Sequence, residues 1–294
     1  MQDGIHGFWV AAATPLDAAG QIDTALLGDH ARALFAQGCD GLVLFGTTGE
    51  GTSFSAVERI AAVRVLLAQG IVPERMALGV GFPAIHDAVG LCRAVLAVGL
   101  TQVLALPPYF YRDVTEDGVF DAYASLVDQV GNDRLRLTLY NIPQVSGVRV
   151  PPGVAARLRS HHGQVIAGVK DSSADFAQFR AFCAAAPDHA VTVGAEPDIG
   201  RALAEAGAGT ICGMGNVAPD LVRAMFRPNP PVASTQAACG LVRGPFIALL
   251  KAMLAAQSGN AGWLNVRPPL RPATPADGTQ RLTQLDALTR QCAA

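Results

Sequence analysis

Lys170 closes the apolar run VIAGVK, and the chain then turns polar in DSS. Routine basic positions in this protein use guanidinium, with twenty arginines against two lysines, Lys170 and Lys251. A guanidinium stays protonated and cannot attack a carbonyl, whereas a lysine amine can. With a 2-oxo acid such an amine forms an imine whose protonated form draws electrons from the neighbouring carbon, so that a C–C bond there can form or break. A plainer reading of Lys170 stands beside this one: its stem follows an apolar mouth and its charge reaches water. Asp171 is not its partner on a strand, because successive side chains point to opposite faces.

Three further stretches carry candidate chemistry. Tyr140 ends the run RLTLY and suits either an aromatic cap on the core or a proton carrier beside an imine. GTTGEG at 46–51 is rich in glycine yet lacks the GK[ST] of a phosphate loop. It reads as an ordinary loop with positive-φ glycines, or as a carboxylate-sized nest in which Gly46 and Gly49 admit backbone N–H groups and Thr47 and Thr48 add hydroxyls. GMGNVA at 213–218 has the spacing GxGxxA, too short a motif to establish a dinucleotide site, and more plausibly makes room for substrate.

These residues need elements that bring them to one place. Short apolar runs at 8–14, 41–45, 76–81, 102–106, 136–140, 165–170, 190–194 and 209–213 alternate with amphipathic stretches at 23–37, 55–69, 84–98, 117–130, 152–160, 174–186, 197–206 and 218–226. Ser55 and Glu58 stand in capping-box register at the second of these stretches. The alternation predicts an α/β fold, a (β/α)8 TIM barrel over residues 1–226, and it sets Thr14, GTTGEG, Tyr140, Lys170, Glu196 and Gly213 on the rim at the strands' C-terminal ends. An open doubly wound sheet fits less well, since no GxGxxG follows the first strand. Residues 227–294 read as a helical extension packed on the barrel, with one helix at 234–257, a proline-rich loop and a last helix from about 277.

The 294 residues carry a net charge of -2 and no run of like charge, which argues against a nucleic-acid partner or a membrane-binding basic patch. The start MQDGIHGFWV has no basic, then apolar, leader, and no run approaches the roughly 18 apolar residues of a membrane span, so the chain reads as cytoplasmic. Six scattered cysteines, Cys39, Cys92, Cys183, Cys212, Cys239 and Cys292, read as reduced thiols, mostly buried. No histidine spacing points to a metal.

GTTGE at 46–50, YNIPQVSG at 140–147 and GVKD at 168–171, in this order and on these strands, resemble the dihydrodipicolinate synthase/N-acetylneuraminate lyase family of class I aldolases over nearly the whole chain. The resemblance implies Lys170 as the Schiff-base lysine, Tyr140 as the catalytic tyrosine, and Thr47 and Thr48 as the pair that hold a pyruvate carboxylate and relay protons. It implies no metal or organic cofactor, and a homotetramer built as a dimer of dimers. Dihydrodipicolinate synthases are expected to carry an arginine where this chain has Val145, and a second, relay tyrosine where it has Phe110 between Tyr109 and Tyr111. Neuraminate lyases are expected to carry an Asp-Glu pair after the seventh strand and a serine after the eighth, where this chain has Glu196-Pro197 and Gly213. The expectation is a lyase that reversibly cleaves a 2-oxo acid, such as a 2-keto-3-deoxy sugar acid, into pyruvate and an aldehyde. Alternatives are 4-hydroxy-tetrahydrodipicolinate synthase, a keto-deoxy sugar acid dehydratase working through the same enamine, and a non-catalytic pyruvate-binding protein.

Overall fold

The computed structural model describes residues 4–81 and 83–293, with side chains as far as Arg290. Eight short strands follow one another around a closed barrel: β1 Gly7–Ala11, β2 Gly41–Leu44, β3 Met76–Val80, β4 Gln102–Ala105, β5 Arg136–Asn141, β6 Ile166–Asp171, β7 Ala190–Val193 and β8 Gly209–Cys212. Each runs parallel to the next, and β8 closes on β1 through Gly7↔Gly209 to Val10↔Cys212. Every strand expected from the sequence is present. β1 stops short of residue 14 because Ala13 gives its N–H to the Asn216 side chain and Pro15 has none to give.

Strand alternation sorts the apolar residues into two clusters. Val10, Leu42, Leu44, Leu78, Val103, Leu139, Val169 and Val191 face the helices and join their buried faces in the main core. Trp9, Val43, Ala77, Leu104, Tyr140 and Ile211 belong to a second cluster that fills the barrel interior. Gly41 makes this filling possible, since a Cβ there would lie 2.5 Å from the Trp9 ring. A barrel packed in this way is solid below and open to chemistry only at its rim.

The helix Ala56–Ala68 starts as its capping box requires, with Ser55 Oγ accepting from Glu58 N–H and Glu58 Oε2 accepting from Ser55 N–H at 2.9 Å. Two features depart from the sequence expectation. YNIPQVSG contains a short helix, Pro143–Ser146, ended by Gly147 at φ 71°. The single helix expected at 234–257 is two helices, Val232–Gly240 and Phe246–Ser258. The break falls where Gly244 takes φ 105° and Pro245 follows, a pair that cannot continue the first helix. The last helix, Pro275–Ala293, packs against Phe246–Ser258 and completes the C-terminal extension.

Among the described residues no helix is long and apolar enough to cross a membrane. Cys39, Cys92, Cys183, Cys212 and Cys239 are free thiols, and the Cys292 side chain lies outside the described residues.

Candidate active site

The β5–β6 register pairs Tyr140 with Lys170 and Asn141 with Asp171. Alternation then sends the first pair into the barrel and the second outward. Lys170 Nζ donates to Tyr140 Oη at 3.3 Å and lies 4.3 Å from the centre of the Tyr140 ring. Tyr140 Oη is in turn 3.4 Å from Thr47 Oγ1 at the end of β2. Lys170 and Tyr140 are 5% and 4% exposed, so the amine sits within the rim rather than reaching water. Among the described residues no carboxylate lies within ion-pair distance of Lys170. Asp171, as strand alternation requires, accepts from Asn141 Nδ2 at 2.8 Å and from Ser173. Burial pushes the Asp171 carboxyl above its ordinary value, and these bonds offset part of that rise. Asn141 also accepts from Val150 N–H, so the outer pair ties β5, β6 and the following chain together behind the inner pair.

The GTTGEG loop does not place its glycines at positive φ, as one sequence reading expected. The left-handed residues are Phe45 and Glu50, both at φ 54°, and not the glycines. Gly49 is needed for close approach: a Cβ there would stand 2.7 Å from Ala12 O, and its own carbonyl accepts from Thr14 Oγ1 at 2.8 Å. Gly51 is tighter still against Phe45 O. Gly46 has open space where a side chain would be and borders the cavity described below. The N–H groups of Thr47 and Thr48 carry no hydrogen bond to a described residue, and Thr47 lines the cavity described below whereas Thr48 does not.

Glu50 is buried and clamped. Its Oε1 accepts from Lys251 Nζ at 2.7 Å and its Oε2 from Arg267 N–H at 2.9 Å, while Lys251 Nζ also donates to Thr14 O at 2.9 Å. The C-terminal extension thereby holds the loops after β1 and β2. Arg59 is buried in the same wall. Its guanidinium donates to the carbonyls of Phe54, Gly79 and Gly51, and burial lowers it to about 10. Sequence reading missed both residues. For Lys251 the signal was its rarity, and for Arg59 none was visible.

A cavity of about 220 Å³ opens above Thr47 and Tyr140, walled by Leu104, Leu106, Val145, Arg59, Ile247 and Leu270 among others. Val145 reaches it from the short helix and is 58% exposed. Glu196 and Gly213 stand together but do not line it. Glu196 Oε1 accepts from Gly213 N–H and Met214 N–H at 3.1 and 2.8 Å, so its carboxylate serves the backbone. The room expected at Gly213 is taken by the Phe246 ring, 2.6 Å from where a Cβ would be. Phe110 and Tyr111 point outward, 73% and 74% exposed, with rings edge to face at 5.3 Å. Tyr109 is half-buried near Arg59; burial raises its hydroxyl and the guanidinium lowers it in part. Among the described residues no group of three or more His, Cys, Asp or Glu side chains is placed to hold a metal ion.

Comparison with known proteins gives this geometry its relatives. The sequence model of the Dihydrodipicolinate synthetase family matches residues 4–230. An uncharacterized DapA-like lyase of Chloroflexus aurantiacus is 33% identical over 242 residues, covering 81% of this chain and 80% of that one. A 4-hydroxy-tetrahydrodipicolinate synthase of Acidiphilium cryptum is 34% identical over 223 residues, 75% of this chain and 74% of its own length. The crystal structure of dihydrodipicolinate synthase from Agrobacterium tumefaciens superposes with a TM-score of 0.90 at 31% identity, covering 97% of this chain and 99% of that one. The chain belongs to the dihydrodipicolinate synthetase family and is a lyase, a class I pyruvate-dependent aldolase.

Proposed function

We propose that this enzyme reversibly cleaves a 4-hydroxy-2-oxo acid into pyruvate and an aldehyde through a Schiff base on Lys170. The observation that carries the reading is the chain Lys170 Nζ, Tyr140 Oη, Thr47 Oγ1, a buried amine bonded to a hydroxyl with no carboxylate paired to it among the described residues. The amine adds to the C2 carbonyl and water leaves, giving the protonated imine. Tyr140, having given its own proton to the departing water, takes the proton of the C4 hydroxyl, and the C3–C4 electron pair moves into the imine as the bond breaks. An aldehyde departs and an enamine remains. Protonation at C3 and hydrolysis by water release pyruvate and restore the amine. Proton relays of this kind show long hydrogen bonds before substrate draws them together, which accommodates the 3.3 and 3.4 Å seen here.

Thr47 and Thr48, whose N–H groups meet no acceptor among the described residues, suit the pyruvate carboxylate. Gly46 and Gly49 shape that loop, one by opening onto the cavity and the other by close packing. Val145 is a wall of the site. For the whole assembly we propose the homotetramer that the family resemblance implies. The exposed Phe110–Tyr111 pair supports a contact between copies. Sedimentation should give four chains per particle, and a monomer at micromolar concentration overturns this.

The chemical reading is tested by incubating the protein with pyruvate and borohydride and mapping the mass gain. The adduct should form on Lys170. Protein that binds pyruvate without gaining mass is a binding protein and not an aldolase.

A further inference from the structure

Three polar groups on the rim, Arg59 and Glu50 among them lining the cavity, look at first like partners for a hydroxylated or charged aldehyde, and each is already engaged. Arg59 gives four hydrogen bonds to the backbone carbonyls of Phe54, Gly79 and Gly51. Glu50 accepts from Lys251 and from Arg267 N–H. Glu196, the remaining acid on this rim, accepts from two backbone N–H groups after β8. Thr52 and Ser53 offer hydroxyls, and Thr52 is exposed at the margin. The apolar side chains of the lining that Thr47 and Tyr140 share include Val80, Leu104, Leu106, Val145, Ile247 and Leu270.

A polyol placed against this wall strips water from several hydroxyls without replacing the hydrogen bonds, and a carboxylate fares worse. An alkyl or aryl group loses nothing and gains contact with aliphatic side chains. Size agrees: an apolar cavity of about 150 Å³ holds benzene, and this one is about 220 Å³.

Resting on the Schiff-base reading proposed above, we infer that the aldehyde half of the substrate is an uncharged apolar aldehyde, alkyl or aryl, carried on pyruvate as a 4-hydroxy-2-oxo acid. This replaces a sugar-acid tail as the partner the site selects. Ile247 and Leu270 are specificity-determining residues on this account, so the C-terminal extension supplies part of the substrate site. The bond broken is still C3–C4, and the tail on C4 takes no part in the electron flow.

The experiment compares pyruvate release from 4-hydroxy-2-oxo-4-phenylbutanoate, 4-hydroxy-2-oxopentanoate and 2-keto-3-deoxygluconate, with borohydride trapping of pyruvate run on the same preparation. The phenyl compound should exceed the polyol in kcat/KM by about a hundredfold or more, the scale on which an apolar pocket rejects an added hydroxyl. Leu270→Asp, at a half-buried wall position, should lower the phenyl-to-methyl ratio of kcat/KM by about tenfold or more. Trapping on Lys170 together with a preference for the polyol, or a ratio that Leu270→Asp leaves unchanged, overturns the apolar tail while the Schiff base stands. Absence of trapping removes the Schiff-base reading, and this inference with it.

Discussion

The two lysines of this chain occupy opposite kinds of site, one at the end of β6 and one on the helix Phe246–Ser258. Lys170 is 5% exposed and meets the Tyr140 hydroxyl at 3.3 Å, with no carboxylate in reach among the described residues. Lys251 is fully buried, 2.7 Å from Glu50 and 2.9 Å from Thr14 O. Burial lowers the Lys251 ammonium and Glu50 restores part of the loss. The first amine is left with a partner that can pass a proton. The second is held by an ion pair and is inert. Scarcity of lysine therefore marks places that arginine cannot fill, for two separate reasons. At 170 the reason proposed above is reactivity. At 251 it is fit: two acceptors suit a compact ammonium, whereas a planar fork with five N–H donors would leave several unpaired in the core.

Exchanging each lysine for arginine tests the contrast directly. Lys170→Arg should abolish the borohydride adduct and reduce pyruvate release on the order of 10⁴-fold or more, the scale of losing a covalent nucleophile, with the unfolding midpoint little changed. Retained turnover would mean that the amine is not the nucleophile.

At position 251 the effects should appear in stability. Lys251→Met leaves the Glu50 carboxylate buried without its cation, and breaking such a pair costs about 3–5 kcal/mol. Lys251→Arg keeps the charge but overfills the site, at about 1–3 kcal/mol. Urea unfolding measures both, and folded Lys251→Met should still gain the pyruvate adduct on Lys170. A Lys251→Met protein as stable as the parent would show that the clamp contributes nothing to the fold.

Much of this was legible in the sequence because local pattern and strand periodicity fix it. The eight strands, the Ser55–Glu58 box and the inward–outward alternation at Lys170-Asp171 follow from residue types alone. What was hidden depends on contacts far apart in the chain. Lys251 and Glu50 are 201 residues apart, and Glu196 reaches Gly213 and Met214 across a neighbouring strand end. A glutamate on a catalytic rim reads as a substrate ligand until its backbone partners are seen. The glycines of GTTGEG misled in the same way, because close approach to Ala12 and Phe45 is a property of the packed barrel and leaves no local signature. Gly244-Pro245 is the contrary case: the break was written in the sequence, and apolar continuity across 234–257 obscured it.

The smallest expected effect separates the two regions by pH. The clamp continues outward from Glu50 through Arg267, whose N–H binds Glu50 and whose Nη2 donates to Glu58 Oε1 at 2.6 Å. The Arg267 guanidinium, with help from Ser55, holds the Glu58 carboxyl at about 2, below its ordinary value of 4.5. A carboxyl lowered by folding contributes its full stability above about pH 4.5 and loses it as pH falls through 2. Because Glu58 is about one-third exposed, the contribution is discounted to about 1 kcal/mol. The unfolding free energies of the parent and Glu58→Gln should therefore differ by about that amount at pH 6, and the gap should shrink to under half by pH 3. It should shrink with added salt as well. A gap independent of pH would mean that Glu58 and Arg267 meet without an ionic contribution. Lys170 binds the Tyr140 hydroxyl and takes no part in this ionic network, so acid should loosen the clamp on the GTTGEG loop while leaving the Lys170–Tyr140 contact in place.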